Sequence, residues 1–385
     1  MRIRPRGHIR SHRMIRRKVV APWIVATLVT IVVVTMVSTG FYFLTRKPCS
    51  GQVTATIVAS ASTSSLLENA ARSWSDDQPV VGGRCASVEI ESVETDSFIN
   101  TLGEQDSKST GNPPVVWIPD STAWMRRATT NAVVAKMFPE KPQSVGRSVS
   151  VIAMPKPMAE ALGWPNVQIT WGSLVNEVAA AGWAKYGKPE WGPVRLGISD
   201  PTKSTGGLLA LINLAGSDAK GQPSAAGLAT IAKLKQIKTV QEPSTAAIIG
   251  DLGKAGRDGM AAVAGYVSAF PALEIDVVNY NLANPPVPLV AIYPTDGSTD
   301  ADNPYLVLDA PWVDDAKRQV AEDFGTFLRS TDGRRSYQDL GYRDAKRAPS
   351  RDLTEDNGVR PKVTTPQLQV PPDVTVTQIL TTWTS

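Results

Sequence analysis

Two stretches of this 385-residue chain concentrate hydroxyl groups where an apolar strand pattern gives way to a helical one. The first is Ala59-Ser-Ala-Ser-Thr-Ser-Ser65, after the run Val53–Ala59 and before a helical stripe of Leu66, Leu67, Ala70, Ala71 and Trp74. Ser65-x-x-Glu68 reads as the capping box of that helix. Free N–H groups at a helix start, together with the hydroxyls of Ser60, Ser62 and Thr63, can hold a polar or anionic ligand. Plain capping would need only one of them. The second stretch, Ile198-Ser-Asp-Pro-Thr-Lys-Ser-Thr-Gly-Gly207, repeats the design. Gly206 and Gly207 let a backbone approach closely, and Ser204 or Thr205 can cap the helix and touch a ligand. Two such loops, far apart in sequence, point to a site between two lobes.

Other chemistries are excluded or weak. Both histidines, His8 and His12, lie in the N-terminal tail, so Ser-His-Asp, Cys-His and His-ligated zinc chemistry is absent beyond it. Asp200-x-Thr202-x-Ser204 superficially resembles a metal-adhesion motif, but the Gly-Gly helix start that follows fits a ligand loop better. Asp296, Ser298 and Asp300 have the first spacings of a calcium loop, yet Ala301 and Val307 stand where it needs Gly and Glu, leaving a solvated loop. Gly250-Asp-Leu-Gly-Lys254 is too short for a phosphate-binding P-loop and is followed by Ala255. The acidic pairs Asp76-Asp77 and Asp314-Asp315 read as polar helix faces or helix starts. The chain is expected to be no enzyme and to need no metal or cofactor.

The net charge of +4 is misleading. Residues 1–48 hold ten Lys/Arg and no acids, leaving 30 Lys/Arg against 36 Asp/Glu in the rest. That acidic body argues against a nucleic-acid partner. No charge occurs from Val19 to Thr45, a span of roughly 27 residues or about 40 Å as a helix, enough for a ~30 Å hydrocarbon core. The expected organisation is a cytoplasmic basic tail at 1–18 and a transmembrane signal anchor at 19–45, with the remainder extracytoplasmic. A cleaved signal peptide fits less well, because the apolar run is long and no small-x-small site closes it. Cys49 and Cys85, the only cysteines, then lie outside the membrane. One disulfide is the simplest reading, with two free thiols or an intermolecular bond as alternatives.

Past the anchor, strand-like and helix-like segments alternate, which implies an α/β fold with parallel sheets covered by helices. Val88, Ile90 and Val93, Val115–Ile118, Ser148–Ala153, Val194–Ile198 and Pro288–Tyr293 read as strands. Val320, Phe324, Phe327 and Leu328 mark an amphipathic helix. From residue 346 to 385 the chain is polar and Pro-rich, a linker-like composition that ends with Ile379, Leu380 and Trp383.

Taken in order, these stretches resemble the type 2 extracellular solute-binding proteins of ABC transporters. The match covers about residues 51–343: the 59–62 loop, Val115-Val-Trp-Ile-Pro-Asp-Ser-Thr-Ala-Trp124, Val151-Ile-Ala-Met-Pro-Lys-Pro157, Ile169-Thr-Trp-Gly-Ser-Leu174, Asp200 through Gly207, Pro288-Leu-Val-Ala-Ile-Tyr-Pro294 and Gly341-Tyr-Arg343. Nearest in character are membrane-anchored actinobacterial members in which this module precedes a von Willebrand A domain, and against those the chain reads as a truncated or divergent member. The resemblance implies a two-lobe, periplasmic-binding-protein-like domain at 51–345 behind the one transmembrane helix. Lobe one would be 51–145 plus 290–345, and lobe two 146–289. Carried over by position, ligand contacts fall on Ser60, Ser62, Ser121, Thr205 and Gly206, and on Tyr266 and Ser268. Pro119-Asp120 departs from the uncharged third loop of oxyanion binders. An Asp120 facing the cleft would repel a dianion and favour a polyol, an amine or a peptide-like ligand.

The function implied is capture of a small polar solute between closing lobes, with an ABC permease as partner. The alternative is an envelope protein that uses the same fold for interaction or scaffolding.

Overall fold

The computed structural model describes residues 22–45, 49–104, 112–216 and 221–385. It falls into two units, Met1–Pro48 and Cys49–Ser385. In the first, Pro22–Thr45 is a single helix without an acidic residue in its first turn or a basic one in its last. Its side chains are described without a break only from Ala26 to Gly40. Among the described residues no helix is long and apolar enough to cross a membrane. The basic tail at 1–18 lies outside the described residues.

Among the described residues the second unit carries twelve strands: β1 (Gln52–Ala59), β2 (Val80–Val81), β3 (Arg84–Ser92), β4 (Val116–Ile118), β5 (Gln143–Ser144), β6 (Ser148–Pro155), β7 (Gly197–Ser199), β8 (Val240–Glu242), β9 (Phe270–Leu273), β10 (Leu289–Ile292), β11 (Asp300–Ala301) and β12 (Pro304–Val307). The first sheet has the order β2-β3-β1-β4-β12-β5, with β3, β1 and β4 parallel and β12 antiparallel to its neighbours. The second gathers β10, β9 and β11 antiparallel around β6, and β7 pairs in parallel with β8 beside it. The fold is therefore mixed α/β, not the purely parallel arrangement that alternation suggested. Periodicity reports which face of a strand is buried, not its direction. Strand β6 is buried at every position, so it reads as a continuous apolar run although its partners are antiparallel.

The chain crosses from the first sheet to the second between Ser144 and Ser148 and returns between Ala301 and Pro304. The return comes later than the expected 290, because β10 and β11 still belong to the second sheet. Asp300, expected in a solvated loop, sits buried at this crossing and accepts from Arg147, Arg347 and Gln367. Two buried charges close by, Arg343 and Glu274, form an ion pair at 2.7 Å. Cys49 and Cys85 are disulfide-bonded, tying the segment before β1 to β3. Closing this 36-residue separation contributes roughly 4 kcal/mol on a chain-entropy argument.

The Pro-rich stretch after 345 does not hang free as a linker. Leu368 N–H bonds the Ser298 carbonyl, and Leu353 and Val359 are buried. The stretch ends in a helix, Asp373–Thr384, that buries Val376, Ile379 and Trp383 on one face. This face packs on helix 122–128 of the first lobe and on helices 205–215 and 225–237 of the second. Composition concealed the segment because its apolar residues are few. Their i, i+3, i+7 spacing is nevertheless that of one helix face.

Candidate functional site

Six strand-to-helix turns from the two lobes converge on one cavity of about 240 Å³. Strands in such sheets deliver their C-terminal ends to the cleft, and each turn presents the polar start of a helix there. From the first lobe come Ser60 and Ser62, Glu94 after β3, and Asp120 after β4. The second lobe supplies Lys203 to Gly206, Ser244 to Ala246, and Leu273 with Asp276.

Asp120 is the centre of this arrangement. Its Oδ1 accepts from the hydroxyls of Ser60 and, at 2.8 Å, of Ser62. Oδ2 accepts from Thr205 Oγ1 at 2.8 Å, across the cleft. Thr205 Oγ1 in turn accepts from Trp124 Nε1 at 2.9 Å. Arg127 of the first lobe donates to the Thr202 carbonyl of the second. The lobes are thus closed on one another by the chain's own bonds. Among the described residues Asp120, Glu94 and Asp276 have no Lys or Arg in ion-pair contact. Among the described residues Lys203 is the one basic side chain lining the cavity. Burial raises the Asp276 carboxyl to about 6, opposed by the Leu273 N–H bond and reinforced by the negative charge of Asp120.

The glycines at the second loop have a steric reason. A Cβ on Gly207 would lie 2.2 Å from the Ser199 carbonyl oxygen, and one on Gly206 would lie 2.6 Å from Thr245 Oγ1. The helix they begin is buried at all its positions, so it can approach β7 only through residues without side chains.

Of the residues singled out from sequence, Ser60, Ser62, Asp120, Ser204, Thr205 and Gly206 line the cavity. Thr63 is fully buried behind it, bonded to Ser60. Ser121 does not face the cavity: it caps helix 122–128 by accepting from Ala123 N–H, and it is fully buried. Ser268 is also internal, bonded to Trp183 Nε1 and Arg195 N–H. Tyr266 lies outside the cavity lining, and burial pushes its phenol up to about 12. The helix after β1 starts at Ala61 with Ser60 as N-cap, so Ser65 and Glu68 fall inside it and form no capping box. Glu94, Lys203, Ser244, Thr245 and Asp276 also line the cavity, though no motif singled them out. Glu94 and Ser244 each hold the cap position just past a strand, the same signal that marked the first two loops. Among the described residues no group of three His, Cys, Asp or Glu is placed to hold a metal ion.

The model of the bacterial extracellular solute-binding protein family matches residues 55–343, three quarters of the chain. The chain belongs to that family. Two curated relatives, uncharacterised proteins of Mycobacterium tuberculosis strains CDC 1551 / Oshkosh and H37Rv, are each 23% identical over 295 residues, 76% of this chain and 42% of theirs. The chain therefore spans less than half the length of these relatives. Among solved structures, a periplasmic thiamin binding protein has a TM-score of 0.55 at 13% identity, covering 88% of this chain and 98% of its own. Iron-bound HitA from Pseudomonas aeruginosa has a TM-score of 0.52 at 13% identity, covering 86% and 98%. At such identities the likeness establishes the fold of this family member and leaves its ligand to the cleft's own chemistry.

Proposed function

We propose that this solute-binding protein takes a small solute bearing an ammonium or other cationic group into its cleft and passes it to an ABC permease. The observation that carries this reading is the charge of the lining: among the described residues, Glu94, Asp120 and Asp276 stand against Lys203. A dianion would meet an excess of like charge at short range in a site walled by protein, where repulsion is less screened than in bulk water. The cavity of about 240 Å³ is smaller than the roughly 300–1,000 Å³ of drug-sized sites, so a compact solute suits it. Closure by bonds of the chain itself supports a second reading, an envelope interaction protein that no longer exchanges solute.

Thermal-shift screening of the full chain against diamines, amino alcohols, polyols, peptides, sulfate and molybdate tests this. Amines should raise the melting temperature, and Asp120→Asn should weaken the hit about ten- to hundredfold, as expected for a charged hydrogen bond worth roughly 1.5–3 kcal/mol. An oxyanion hit would overturn the cationic reading. Silence from every solute would favour the interaction role.

The pH dependence has two opposite signs. Asp276 titrates near 6 in the fold, above the ordinary Asp range, so the folded state holds its proton more tightly than the unfolded one. Through this group, stability without ligand rises as pH falls from 7 toward 4. A cationic solute needs the ionised carboxylate, so the ligand-induced rise should shrink over the same interval, with a midpoint near 6. Asp276→Asn should flatten both trends.

The uncharged run 19–45 and the basic cluster Arg2–Lys18 support an anchor that leaves the binding unit extracytoplasmic. Protease added to intact cells should digest epitopes after residue 50 and spare the tail. A soluble mature form beginning near Cys49 would refute it.

A further inference from the structure

A second cavity, about 330 Å³, lies on the other side of the Asp120–Thr122 turn and shares no lining residue with the cleft. Thr122, Arg126, Arg147, Asp300 and Asp302 line it together with residues 367–370 of the C-terminal segment. Its two carboxylates are already served. Asp302 accepts from Thr122 N–H at 2.7 Å and Thr122 Oγ1 at 2.6 Å. Asp300 accepts from Arg347 at 2.7 Å, from Gln367 at 3.1 Å and from Arg147 at 3.4 Å. Arg126 differs. Its Nε is shut off from water without an acceptor, and no ion pair among the described residues includes its guanidinium.

That nitrogen faces protein, but the guanidinium as a whole lines the cavity without a counter-charge, and such a group is placed to take an anion. The local charge agrees. Arg126 and Arg147 of the lining, with Arg347 outside it on Asp300, set three guanidiniums against the carboxylates of Asp300 and Asp302, an excess of one positive charge. A guanidinium fork matches a carboxylate with two parallel hydrogen bonds. We propose that this cavity is a second binding site, for a small monocarboxylate held by Arg126 beside residues 367–370. Its occupant would touch both the first lobe and the C-terminal segment, so occupancy would fasten that segment to the body. The site is independent of the solute taken by the cleft.

The experiment is a thermal shift and calorimetric titration of the full chain with sodium acetate and sodium pyruvate, against sodium chloride at matched ionic strength. Acetate or pyruvate should raise the melting temperature beyond chloride in the wild type and equally in Asp120→Asn, which alters only the cleft. Arg126→Met keeps the apolar stem and removes the charge, and should weaken carboxylate binding at least tenfold. Without added anion, this variant should melt no lower than the wild type, because an unsatisfied donor has gone. If it fails to fold, Arg126→Gln carries the same expectation for affinity. Equal shifts in the wild type and the Arg126 variants, or no shift beyond chloride in the wild type, would overturn the site. Loss of the acetate effect in Asp120→Asn would also do so, by placing the carboxylate in the cleft.

Discussion

Arg343→Met is expected to destabilise the protein by about 3–5 kcal/mol, the range for breaking a buried pair by removing one partner. Arg343 and Glu274 have side chains only 1% exposed. Two parallel bonds join them, Nε to Oε2 at 2.8 Å and Nη2 to Oε1 at 2.7 Å. Glu274 also accepts from the Tyr293 hydroxyl and the Val149 N–H, while Arg343 donates to the carbonyls of Arg360 and Pro361. Methionine fills part of the volume but strands a carboxylate and frees the 360–361 segment. The double variant Glu274→Gln/Arg343→Met removes both charges and should recover a large share of the loss. Urea unfolding midpoints of the singles and the double form a cycle. Equal losses in Arg343→Met and the double variant would show that the stranded charge is not the cause.

That pair illustrates where sequence reading stops. Arg343 was legible as part of Gly341-Tyr-Arg343, but its partner is 69 residues away and only the fold brings them together. Strands and helices were legible because apolar spacing is a local property: the 315–329 helix and β1, β4, β6 and β10 lie where the periodicity places them. Asp314 caps its helix by accepting from Lys317 N–H, as an acidic pair at a helix start should. Strand direction was not legible, nor was the late return to the first sheet, because both depend on long-range pairing. The cleft was half legible. Hydroxyl-rich turns after strands announced Ser60, Ser62 and Thr205, and the odd acid in the third loop announced Asp120. Asp276 gave no such sign, since an acid in the first turn of a helix is ordinary. Ser121 and Ser268 looked the same as the cleft serines in sequence. What separates them is which way a turn faces, and burial on both sides decides that.

The C-terminal helix is the element whose loss should change the molecule's behaviour most visibly. Trp383 is 5% exposed and Lys238 Nζ lies 5.1 Å from its ring centroid. Val376 and Ile379 stand above it on the same face, at 0% and 1% exposure. Trp383→Ala should therefore remove about 3–5 kcal/mol of packing. The consequence reaches beyond local fraying, because this face rests on helix 122–128 of one lobe and on helices 205–215 and 225–237 of the other. The cross-cleft bonds, donated by Thr205 to Asp120, by Trp124 to Thr205 and by Arg127 to the Thr202 carbonyl, are few, each worth roughly 0.5–3 kcal/mol net depending on charge. The helix is thus a main contributor to keeping the lobes shut. Trp383→Ala should raise amide exchange in helices 122–128 and 205–215 together and increase the radius of gyration in solution scattering. Any solute bound in the cleft should exchange faster, since opening would cost less. Exchange confined to residues 373–384, with the scattering profile unchanged, would mean that the cross-cleft bonds suffice to hold the lobes and that the helix is only a cover.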